Sequence, residues 1–437
     1  MNKLTFLCSP NWGIVDTWLP IIDKIKKNKG YQIELLILKT SMIRLLDINS
    51  FLIQNLNSQI SGVVFVSFTD NLIKCNNLQT AMSINKKIVY WPFIKLLKRG
   101  RLKRLFKYPI FFYIKILQLW EQNYLKEGHV LGYKELIDNM SGLLFDIHES
   151  EKEYYTRFSK HIREIPKFSI FHGLEIGGQR EKIKLNSNKS NLNSRVYIFS
   201  KNDRKYYKDK YGIDDSKIIF SGIPKYDSTW ISYIKKSCTN SEIKWENYVT
   251  LISRPSIGPY LPIRRKHQAL IAIKELIVNK MKKKLVIKIH PKQSDISIYF
   301  DVFGTETYDI EWRFTNEHAF VLSSRSDFGI SLYSGVVVDF LFGNAVPSIE
   351  YSDMVGIPEC DNDLALRDKK GYPVFGYRYN EVVLGANNYD ELYNNVKLIM
   401  NEKEKVVNTL INNFNKVYQR VENPISTIVT DIINIVV

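Results

Sequence analysis

Short apolar runs rich in Val, Ile and Phe alternate along the chain with longer segments of helical periodicity, the pattern of a parallel sheet covered by helices on both faces. In the first half the runs fall at residues 4–8, 32–38, 62–67, 87–91, 142–146 and 168–172. The second half repeats the rhythm at 195–200, 217–221, 248–253, 284–290, 328–332 and 346–350. Between the two sets, residues 182–194 are dense in Asn, Ser and Lys and lack aromatics, which predicts a surface linker and a boundary near 180–195. The expected architecture is α/β, with two Rossmann-like domains facing across a cleft. Residues 1–185 form the first, 195–400 the second, and helices in 401–437 pack back on the first. Open parallel sheets bind ligands beyond the carboxyl ends of their strands, so the site should draw on both halves.

A length of 437 residues suits two domains of roughly 100–200 residues each. An apolar content of 45% with 24% charged residues excludes a disordered or low-complexity chain. The formal net charge of +17 draws the molecule to anionic partners without choosing among them. Cys8, Cys75, Cys238 and Cys360 lie far apart, so neither a zinc ribbon nor a disulfide scaffold is expected. The amino terminus lacks the pattern of a secretory signal. No apolar run reaches the roughly 18–20 residues of a membrane span, so the expected place is the cytoplasm.

One segment stands out by charge. Residues 95–107 carry Lys95, Lys98, Arg99, Arg101, Lys103, Arg104 and Lys107 with no acid, and an aromatic stretch follows at 109–120. This predicts an insertion, about residues 92–125, that lies on the headgroups of an anionic membrane through Lys98, Arg99, Arg101 and Arg104. The other reading is a solvated face followed by an ordinary core helix. No helix-turn-helix, zinc finger or RNP signature accompanies the charge, so nucleic acid is not the expected partner.

Three segments carry candidate chemistry. KLVIKIHPK ends an apolar run with His290, Pro291 and Lys292, placing an imidazole and an ammonium where a phosphate could be held. In DFGISLYSGVVVDFLFGNAVPSIE, a strand turns at Tyr333-Ser334-Gly335 into a short helix. Ser334 suits the N-cap, the open amides and helix dipole favour an anion, and Gly335 lets it approach. Glu350, closing the next strand, suits a ribose diol. In FSIFHGLEIGG, His172 can serve as general base on an acceptor hydroxyl, with Glu175 orienting it or acting as the base instead. Lys225, in the turn of GIPKYD, and Arg254, after the run at 248–253, are further phosphate candidates. A satisfied helix cap and a structural histidine are the plain alternatives, and no metal cluster is apparent.

Taken in order, FHG, FSKND, GIPKYD, the strand ending at Arg254, IHPK and SLYSGVVVDFLFGNAVPSIEY resemble the GT-B fold transferases of bacterial surface polysaccharides over residues 165–355. Two groups are similar: capsule transferases using CMP-activated Kdo, sialic or pseudaminic acids, and CDP-glycerol or CDP-ribitol phosphotransferases. The resemblance implies that His290-Pro291 and Ser334 contact a cytidine nucleotide and that His172 faces the acceptor. The polyol group usually reads Thr-Asp-Tyr-Ser-Ser where this chain has Ser331-Leu332-Tyr333-Ser334-Gly335, which favours sugar transfer from a CMP-nonulosonate. It implies a cytidine-activated donor, a glycan or glycolipid acceptor, no cofactor, and work at the inner face of the cytoplasmic membrane. A non-catalytic capsule-assembly protein is the rival reading.

Overall fold

The computed structural model describes residues 1–8, 12–28, 30–38, 50–66, 72–81, 83–84, 133–174, 194–237, 242–256, 261–290, 293, 296–353, 366–367 and 373–436. The basic insertion, Pro291, Lys292, Glu175 and the expected strand at 87–91 lie outside these residues, as do Cys238 and Cys360.

The first sheet joins β1 (Asn2–Leu7), β2 (Tyr31–Ile37), β3 (Gly62–Val66), β4 (Leu72–Cys75), β5 (Gly142–Asp146), β6 (Lys167–Ile170), β7 (Arg195–Ile198) and β8 (Ile218–Phe220). Their order is β4-β3-β2-β1-β5-β6-β7-β8, parallel except for the antiparallel β3–β4 pair. The chain enters helix α1 (Trp12–Lys26) after β1. Helices on the faces force burial of both, so strands such as GLLFD are buried throughout. Trp18 of α1 is fully buried and donates its indole N–H to the Phe145 carbonyl at 3.3 Å.

The second sheet has the order β11-β10-β9-β12-β13-β16, all parallel. Its members are β9 (Tyr248–Ile252), β10 (Leu285–Lys288), β11 (Trp312–Thr315), β12 (Ser326–Ser331), β13 (Ser348–Tyr351) and β16 (Leu384–Ala386). β14 (Leu366–Arg367) and β15 (Pro373–Val374) pair antiparallel as a separate two-stranded sheet. Helix α2 (Ile263–Ile273) follows β9, and α3 (Val336–Asn344) follows β12. The long α4 (Tyr389–Val417) bends at Glu402 and leads to α5 (Pro424–Val436).

The boundary expected near 180–195 is not where the sheets divide. β7 and β8 extend the first sheet, with Phe168 opposite Arg195 and Ile170 opposite Tyr197. Ser169 Oγ meets Ser194 Oγ at 3.2 Å inside this pairing. The strands on either side of the polar run are therefore neighbours in one sheet, and the second sheet begins only at β9. The return of the carboxyl terminus is as expected. α5 packs on α1, Tyr197 Oη donates to Asp431 at 2.9 Å, and Arg195 pairs with Asp431 at 3.3 Å. Gly222, at φ +74, lets Val421 close in: a Cβ there would come 2.7 Å from Val421 Cβ. One apolar core runs from the first sheet into Phe320, Val337 and Phe340 of the second lobe.

Candidate active site

Each parallel strand hands its next residues to the carboxyl edge of its sheet, and those edges are where the chemistry gathers. At the first, Asp146 closes β5 and His172 lies two residues past β6. His172 Nδ1 meets Asp146 Oδ2 at 2.6 Å, with the carboxylate 1% exposed and the ring 22%. The other carboxylate oxygen accepts the His148 N–H at 3.1 Å, so Asp146 is fixed from both sides. A carboxylate accepting from Nδ1–H leaves the lone pair on Nε2. His148 stands edge-on to His172 at 6.1 Å. Burial first, and Lys152 second, hold it below the usual histidine range.

Leu174, two residues beyond His172, reaches a cavity of about 260 Å³ lined also by Arg254, Tyr333, Ser334, Gly335, Glu350, Phe375, Tyr377 and Tyr418. Both lobes and the end of α4 thus meet at one hollow. Four aromatic rings line it beside two charged side chains, Arg254 and Glu350, and the Ser334 hydroxyl, a mix of apolar wall and few polar groups usual for a small-molecule site. Arg254 Nη1 donates to the Tyr333 carbonyl at 2.8 Å, and burial lowers the guanidinium from its ordinary value. Tyr333 holds φ +69, a left-handed conformation that costs a non-glycine residue about 1–3 kcal/mol and clusters at functional sites. Glu350 is 2% exposed, and its Oε1 lies 3.2 Å from Arg378 Nε. Burial raises its carboxyl while Arg378 opposes the shift. The same arginine donates to the Glu350 carbonyl and to Asn387 Oδ1, both at 2.7 Å.

Arg254, Tyr333, Ser334, Gly335 and Glu350 thus line one cavity. Their detailed roles differ from the expectation at the head of α3. Gly335 occupies the N-cap, while Ser334 Oγ reaches the Val336 N–H at 3.3 Å. The Ser334 N–H is already bonded to Ser331 Oγ at 2.9 Å, which takes up one of the amides expected to be open. A Cβ on Gly335 would come 2.9 Å from Tyr377 Oη, so the glycine admits a tyrosine where a phosphate was expected. His290 lies two residues past β10, half-buried, and does not line the cavity.

Lys225 is placed elsewhere. Its ammonium pairs with Asp339 of α3 at 2.7 Å, and Tyr226 Oη donates to the same Oδ1 at 2.7 Å. With Asp16 of α1 held by His318 at 3.1 Å, these contacts form a buried polar seam between the lobes. A pair so buried is costly to break from one side. Sequence reasoning missed Asp146, whose signal was an acid ending an apolar strand. It also missed Phe375, Tyr377, Tyr418 and Arg378, which come from segments without a motif.

Two parallel-sheet lobes with a cleft at their strand ends define the GT-B type of fold. No family model and no curated protein matches the chain. Among solved structures, one from Listeria monocytogenes described as a candidate UDP-N-acetylglucosamine 2-epimerase is similar, with TM-score 0.50, 10% identity, and coverage of 98% of this chain and 94% of that one. The UDP-GlcNAc 2-epimerase of Neisseria meningitidis, bound to UDP-GlcNAc, gives 0.48, 12%, 99% and 99%. A ugt transferase of Siraitia grosvenorii in complex with UDP gives 0.47, 11%, 99% and 100%. At such identities the likeness concerns the fold. No helix among the described residues is long and apolar enough to cross a membrane.

Proposed function

We propose that this chain is a GT-B glycosyltransferase that moves a sugar from a nucleotide-activated donor to a glycan or glycolipid hydroxyl. The observation that carries the reading is the run from 172 to 174: a carboxylate-oriented histidine on one lobe stands two residues before Leu174, which lines the cavity with Arg254 and Glu350 of the other. At about 260 Å³ the hollow falls just under the roughly 300–1,000 Å³ of pockets that enclose whole drug-sized ligands. It suits the nucleoside end of a donor, with the sugar projecting toward His172.

In this reading, His172 Nε2 takes the proton of the acceptor hydroxyl as its oxygen attacks the anomeric carbon. The bond from that carbon to the phosphate oxygen breaks, and negative charge grows on the departing nucleotide. Arg254 stabilises it, a preorganised charge worth most in a water-poor site. Asp146 steadies the imidazolium that forms. The motif resemblance favours a CMP-linked nonulosonic acid or Kdo as donor.

The test is incubation of the protein and an acceptor glycan with CMP-sialic, CMP-pseudaminic and CMP-Kdo donors, CDP-glycerol, CDP-ribitol and UDP-GlcNAc, reading products by mass spectrometry. Release of CMP with sugar added to the acceptor is the expected outcome. Release from a CDP-polyol replaces the donor class, and conversion of UDP-GlcNAc without any acceptor replaces transfer with isomerisation. Inertness toward every donor leaves the binding-protein alternative.

A further inference from the structure

Helix α2 begins against local rules. Its first residues are Ile263, Arg264, Arg265 and Lys266 with no acid in the first turn, and its N-cap, Pro262, supplies no capping side chain. Three cations at the positive end of a helix are unfavourable. Lys266, moreover, is 0% exposed, although lysine is almost never fully buried. Places where a chain breaks several local preferences at once are characteristically functional.

The contacts show what Lys266 holds. Its Nζ donates to the Arg254 carbonyl at 2.7 Å and to Gln293 Oε1 at 2.9 Å, and it stands 4.8 Å above the Tyr299 ring. Arg254 belongs to the loop after β9, and Gln293 to the loop after β10. Tyr299 Oη in turn donates to Gln293 Oε1 at 3.1 Å and contacts Ser253 Oγ, while the Gln293 N–H reaches the His290 carbonyl at 2.9 Å. One buried ammonium thereby fastens the loop that carries Arg254 to the loop that carries His290. It does not line the cavity, so it acts through these loops and through its charge.

We infer that Lys266 is a positioning residue for the donor phosphate: it locks the β9 and β10 loops into one anion-receiving edge and supplies fixed positive charge behind it. The inference rests on the nucleotide reading above and adds the residue that sets its phosphate side. A group acting on phosphate contributes to the affinity for nucleotides and not to that for nucleosides. A group acting only as packing contributes to both alike.

The experiment is calorimetric titration of the full-length protein and of Lys266→Met with CMP, UMP, cytidine and uridine. The expected result is that the ratio of nucleotide to nucleoside affinity falls about tenfold or more in the variant, with nucleoside affinity held within about twofold. Equal losses for nucleotide and nucleoside, or no loss, overturn the inference and leave the transferase reading standing. Should the unsubstituted protein bind CMP and UMP no better than the nucleosides, inference and reading fall together. If Lys266→Met does not fold by circular dichroism, Gln293→Leu, which releases only the β10 loop, is titrated instead. A ratio unchanged there is equally fatal.

Discussion

On the first sheet a single ring is aimed by a single buried carboxylate, His172 on Asp146. On the second, the charges of the cavity and behind it are committed to one another and to the backbone: Arg254 to the Tyr333 carbonyl, Glu350 to Arg378, and Lys266, behind the cavity, to the Arg254 carbonyl. The first arrangement occupies Nδ1 and leaves the lone pair on Nε2. The second spends its hydrogen bonds on holding a shape. The contrast divides the labour of the site, because loss of the aimed ring should remove chemistry and loss of the braced wall should remove affinity.

The largest expected effect tests the aimed half. His172→Ala and Asp146→Asn should each lower kcat by about 10²–10⁴, the usual worth of general-base catalysis, while nucleotide Kd from titration stays within about twofold. A kcat near that of the unsubstituted protein in either variant would end the assignment of the base. The next effect tests the braced half. Arg254→Met removes a charged donor worth about 1.5–3 kcal/mol, so nucleotide Kd should rise about tenfold to a hundredfold, with a smaller fall in kcat because the same guanidinium meets the charge growing on the departing nucleotide. A collapse of kcat without a change in Kd would place Arg254 on the reacting groups and dissolve the contrast.

The smallest effect lies at the seam between the halves. Burial holds the Lys288 ammonium down to about 8 against an ordinary 10.5, although Asp339, Asp16 and Glu317 pull the other way. The unfolded chain therefore binds more protons between about pH 8 and 10.5, and stability should rise with pH across that window by roughly 1–3 kcal/mol. Burial also pulls Lys225 down, but Asp339 and Asp16 raise it on balance above its ordinary value. Its contribution is fully present below about 10.5 and is lost only above it. Urea midpoints at a series of pH values should show the rise, and Lys288→Met should flatten it.

Much of this was legible in the chain. The strand rhythm identified most members of both sheets because buried parallel strands are apolar without interruption, and the turn at 333–335 announced the head of α3. What failed to show was partnership. Residues 182–194 read as a division because polar composition marks a surface. Whether the strand after them joins β6 or starts a new sheet is decided by the pairing of Phe168 with Arg195. Asp146 read as the end of a strand because its histidine is twenty-six residues away. Tyr377 and Tyr418 carry no local mark of the cavity they line. Short edge strands such as β11 and β16 were missed for the opposite reason: Trp312–Thr315 and Leu384–Ala386 are too brief for any period to register.

The last helix, α5, seats itself on the first, with Val436 reaching the neighbourhood of Gly142 in β5. A ribosome completes every strand of the first lobe long before it supplies this cover, so the nascent half must wait with an apolar flank uncovered. Truncating the final dozen or so residues would then cripple the portion of the molecule made earliest, and a free-standing amino-terminal half would be a sticky one.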